Sequence, residues 1–101
     1  MILLHIIAVH DFENDIKNML RKANINVFSY TAVTGFKTGD DSARSENWFA
    51  LNSHENDSIM FIVFTDEEKA DKLKTDAFLF NASQETLNSI HIYSSETTRF
   101  V

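Results

Sequence analysis

The sequence predicts an α+β domain with a four-stranded antiparallel sheet and two helices on one of its faces. Three observations carry this prediction. Two β-rich segments, Ile2 to Val9 and Ser58 to Phe64, are apolar at both alternating sets of positions, the mark of strands buried on two sides. An amphipathic helical stripe follows the first, and a capping signal with a second, thinner stripe follows the other. Two further β-rich segments, Val27 to Val33 and Ile90 to Tyr93, complete the order β-α-β-β-α-β. That order is the split β-α-β, or ferredoxin-like, arrangement. The chain has 101 residues, enough for one domain and too few for two.

In the first strand Leu3, His5, Ile7 and Val9 point one way and Ile2, Leu4, Ile6 and Ala8 the other. Asp11 is placed to cap the helix that follows, its carboxylate accepting from first-turn amides. Phe12, Ile16, Met19, Leu20 and Ala23 form one stripe, and Lys17, Asn18, Arg21 and Lys22 the opposite face. Asn24 stands where glycine commonly ends a helix. Gly35 to Asp57 reads as a long polar excursion with one apolar knot, Trp48-Phe49-Ala50-Leu51. In the third strand Phe61 and Val63 face one way, and Met60, Ile62 and Phe64 the other. Thr65-Asp66-Glu67-Glu68 has capping-box spacing, with Thr65 as the cap. Ala70, Leu73 and Ala77 then give a thin stripe for the second helix, whose end falls between Lys74 and Leu87.

Two helices cover one face of such a sheet, yet strands one and three are apolar on both. Leaving half of these side chains wet forfeits roughly 1.5–3 kcal/mol each. A contiguous apolar face of that size usually marks an interface, and a closed ring of identical subunits is the simplest way to cover it; the alternative is a monomer in which the long excursion covers part of the face.

Composition narrows the function classes. The formal net charge is −6 and Lys and Arg form no basic block, which argues against nucleic acid and against charge-driven membrane binding. The absence of cysteine removes disulfides, thiolate metal sites and a cysteine nucleophile, and fits a reducing, cytoplasmic location. Met1 to Val9 lacks the features of a signal peptide, and no apolar run has the length that direct membrane insertion needs. No nucleophile elbow or other catalytic motif occurs, so a non-enzyme is expected, with no catalytic residues.

Asn24 to Phe36 resembles the signature around the second strand of the PII-type signalling proteins. Thr31, Val33, Gly35 and Phe36 approximate its "T-x-x-x-V-x-G-[FY]" pattern. The opening strand and helix, an excursion of T-loop length over 35–57 and a strand running into Thr65-Asp66-Glu67-Glu68 extend the likeness in element order. The resemblance implies a homotrimer with sheets facing inward and small-molecule sites in the clefts between subunits. It also implies a T-loop that reports ligand state to a membrane transporter or an enzyme. Nucleotide-binding relatives carry a glycine-rich loop with a lysine after the second helix. Here Asp76 to Glu85 has neither, so the backbone cradle for phosphates is missing and the cofactor or ligand stays unknown.

The resemblance makes Gly35, Phe36, Lys37, Gly39 and Arg44 the candidate ligand-binding residues. Lys37 and Arg44 are suited to neutralise a small-molecule anion, against the plainer reading of a turn with solvated charges. Trp48 and Phe49 either dock on a partner or anchor the loop on its own or a neighbouring subunit. The histidines, His5, His10, His54 and His91, lack metal-site spacing and read as interior or rim imidazoles rather than ligands. The alternatives are a small ferredoxin-like enzyme of the dimeric-barrel or acylphosphatase kind, and a metal-tolerance-type trimer. The acylphosphatase reading lacks its arginine and glycine in Ala8-Val9-His10-Asp11.

Overall fold

A computed structural model describes residues 1–36, 55–99 and 101, with the backbone alone at positions 55 and 56. In chain order these form β1 (Ile2–Val9), a 3-10 turn (His10–Phe12), α1 (Glu13–Lys22), β2 (Ser29–Phe36), β3 (Glu55–Thr65), α2 (Glu67–Ala82) and β4 (His91–Glu96). The strands lie in the order β2-β3-β1-β4, and every neighbouring pair is antiparallel. Each helix therefore bridges two strands that bracket a third, which is the ferredoxin-like arrangement expected.

Both helices cover the same face. Ile16 and Leu20 of α1 and Ala70, Leu73 and Ala77 of α2 share one core with Leu4, Ile6, Phe61 and Val63. Five of these, Leu4, Leu20, Phe61, Val63 and Ala70, are sealed from solvent, so β1 and β3 form the centre of the core. Phe12 and Phe80 close its rim edge to face, their centroids 5.0 Å apart.

The helix ends refine the sequence reading. Asn24 does end α1, at a φ of 61°. Its amide donates to the Arg21 carbonyl and that of Ile25 to Leu20, the paired bonds of a Schellman closure. Asp11, expected as the cap of α1, lies instead in the 3-10 turn. There the Glu13 amide donates to the His10 carbonyl, so the backbone of the turn supplies the partner. The cap of α2 is Asp66 rather than Thr65. Its Oδ1 accepts from the Lys69 amide at 2.8 Å. Thr65 is still paired with Ile2 in the sheet and buried, so its hydroxyl stands before the helix start.

Strand bounds shift in the same way. β2 starts at Ser29 rather than Val27, and β4 at His91 rather than Ile90. Gly35 pairs with Asn56 and Phe36 with Glu55, so both ends of the expected 35–57 excursion belong to strands. The stretch between the two strands is 37–54. Asp76 to Ala82, which the resemblance placed after the second helix, forms the last two turns of α2.

One side chain ties α2 to β4. Asn81 Nδ2 donates to the Ile90 carbonyl at 2.9 Å, and the Ile90 amide donates to Asn81 Oδ1 at 2.8 Å. The amide imitates a strand neighbour just before β4 begins. Beyond Glu96 the Thr97 amide donates to the Met1 carbonyl, prolonging the β1–β4 ladder. Removing a half-buried bidentate partner costs about 1–3 kcal/mol. Asn81→Ala is accordingly expected to lower unfolding free energy by that amount in urea titration, and a loss below about 0.5 kcal/mol counts against the clamp.

Candidate functional site

The sheet face away from the helices is the first candidate. Alternation places Leu3, His5, Ile7 and Val9 of β1 on it, with Met60, Ile62 and Phe64 of β3, His91 and Tyr93 of β4, and Ser29, Thr31 and Val33 of β2. Leu3, Ile7, Met60 and Ile62 are half-buried by one another, while Phe64 and Tyr93 remain 57% and 50% exposed. His5 lies across from Ile62 on one side and Tyr93 on the other. His91 stacks nearly parallel to Tyr93, centroids 6.4 Å apart. Among the described residues, this face carries no carboxylate, lysine or arginine. The rest of the chain is densely charged, with 24% Asp, Glu, Lys and Arg overall.

The second candidate lies where β2 and β3 lead into the 37–54 stretch. A cleft of about 310 Å³ is lined by His10, Ala32, Val33, Thr34, Asp57 and Ser58. The imidazole, the hydroxyls and the Asp57 carboxylate offer donors and acceptors to a small polar molecule. No lysine or arginine stands among these lining residues, so the described part of the cleft does not itself attract an anion.

Beside it α1 is latched to the edge strand. Lys17 Nζ donates to Glu13 Oε2 at 2.6 Å and to the Tyr30 hydroxyl at 3.0 Å, and lies 4.3 Å from the Tyr30 ring centroid. His10 Nε2 stands 3.2 Å from the other Glu13 oxygen. The bond from Lys17 holds the Glu13 carboxyl below the usual carboxylate range, and the bonds to Glu13 and then Tyr30 raise Lys17 above the usual ammonium range. The Tyr30 ring in turn stacks on buried Phe61 at 5.2 Å, linking the latch to the core.

Of the ligand residues expected from sequence, Gly35 and Phe36 are paired strand residues at the end of β2, with Gly35 buried and Phe36 exposed. Lys37, Gly39 and Arg44, and the partner candidates Trp48 and Phe49, lie outside the described residues. No group of three or more histidine or carboxylate side chains with metal-site geometry occurs among the described residues. No described helix is long and apolar enough to cross a membrane. The sequence reading did not single out the Glu13–Lys17–Tyr30 latch. The i,i+4 spacing of Glu13 and Lys17 was a signal for half of it.

No family model matches the chain, and no curated protein matches it. Among solved structures it is similar to the crystal structure of a DUF3240 family protein from Shewanella baltica OS155, with a TM-score of 0.67 and 17% identity. The match covers 99% of this chain and 92% of that one. At that identity the likeness establishes the fold.

The latch has a defined pH signature. A folded-state value below 4.5 for Glu13 means that its contribution is complete above the unfolded value and is lost as pH falls through the lowered one. Carboxyl NMR titration is expected to place Glu13 below 4.5, and Lys17→Met to return it towards that value. An unmoved midpoint in the variant would show that the pair is not formed in solution.

Proposed function

We propose that this chain is a PII-like homotrimeric regulatory protein and not an enzyme. Its copies cover one another's open sheet faces. A small molecule or anion binds between subunits at the root of the 37–54 stretch, and that stretch, acting as a T-loop, signals to a transporter or enzyme. The observation that carries the reading is the uncharged apolar sheet face. A protein with net charge −6 repels its own copies over most of its surface. On this face two copies could meet without burying a described carboxylate or ammonium of the strands, each of which would otherwise cost several kcal/mol.

Four strands about 4.8 Å apart and about seven residues long give a flat footprint of about 450 Å² before side-chain relief, about half of the roughly 800 Å² per partner of a standard interface. The number of subunits comes from the PII resemblance; the apolar face supports only the reading that copies meet. The cleft at His10, Thr34, Asp57 and Ser58 adjoins the strand ends that hold Gly35 and Phe36. Lys37 and Arg44 are assigned the anion, because the described cleft brings no cation. The missing glycines between Asp76 and Glu85, where α2 continues to Ala82, argue against a nucleotide triphosphate held in the usual family manner.

Light scattering on a sizing column is expected to give a mass near three subunits. Ile62→Lys, at the centre of the open face, is expected to weaken association about 30-fold or more while the far-UV circular dichroism stays native. A mass of two subunits supports the dimeric-barrel alternative, and an Ile62→Lys protein that assembles normally removes the open face from the interface. The ligand arm is read by hydrogen exchange over 35–57 with ATP, inorganic phosphate and bicarbonate as probes. Protection by one of them supports the regulatory reading, and indifference to all three counts against it.

A further inference from the structure

We draw no further inference here: the strongest candidate, the apolar sheet face that Leu3, Ile7, Ile62 and Tyr93 share on the side away from the helices, carries nothing beyond the assembly already proposed, because nothing in the structure shows what covers it.

Discussion

A sheet with two apolar faces and helices enough for one is the constraint on which the rest of this structure depends. The alternation in β1 and β3 makes Leu4, Ile6, Phe61 and Val63 a closed core and, one residue along, makes Leu3, Ile7, Ile62 and Phe64 an open face. The two sets cannot be tuned separately, because a one-residue register shift would exchange them. The inner set is fixed by α1 and α2. The outer set is then held in a regular array by the same ladder.

The edges of the sheet show how that array is kept in place. At one edge the Lys17–Tyr30 bond and the Tyr30–Phe61 stack hold β2 to α1 and to the core. At the other, the Asn81 amide sets the start of β4 and the Thr97–Met1 bond prolongs it. Both devices act on outer strands, whose unpaired backbone would otherwise fray or recruit foreign strands. α2 carries a separate exposed pair, Phe78 and Leu79, on the side away from the core. It explains why the apolar stripe of that helix looked thin in the sequence, since its apolar residues divide between two sides.

Most of the fold was legible because apolar residues at both alternating sets of positions leave an unmistakable strand pattern, and β1 and β3 carry it. What escaped depended on where pairing stops. Thr65 and Asp66 are both competent caps, and the choice fell to Asp66 because Thr65 is still bonded in the sheet opposite Ile2. Gly35 and Phe36 looked like the start of a loop, and the hairpin instead continues through them to Asn56 and Glu55. The latch at the candidate site was hidden because Lys17 and Tyr30 are 13 residues apart and meet only when α1 packs beside β2. The ligand assignments at Lys37, Gly39 and Arg44 came from a family pattern rather than from local physics, and they lie beyond the described residues.

The residue types on the open face are mixed, apolar along β1 and β3 and polar or aromatic towards the outer strands. An array of leucine or phenylalanine alone would be a standing aggregation surface on the separated chain. Lysine or glutamate at its centre would keep the separated chain soluble and prevent closure, because the burial of an unpaired ion outweighs the apolar area gained. Histidine combines a polar ring edge with a flat face that stacks, and His5 between Ile62 and Tyr93, with His91 stacked on Tyr93, places imidazole where β1 and β4 meet. Serine and threonine soften the outer strand β2 in the same spirit, at Ser29 and Thr31, but carry no charge at any pH. The chemistry of the face thus separates into an apolar part along β1 and β3 and an imidazole and phenol part where β1 meets β4, and both are fixed by the strand alternation that builds the core.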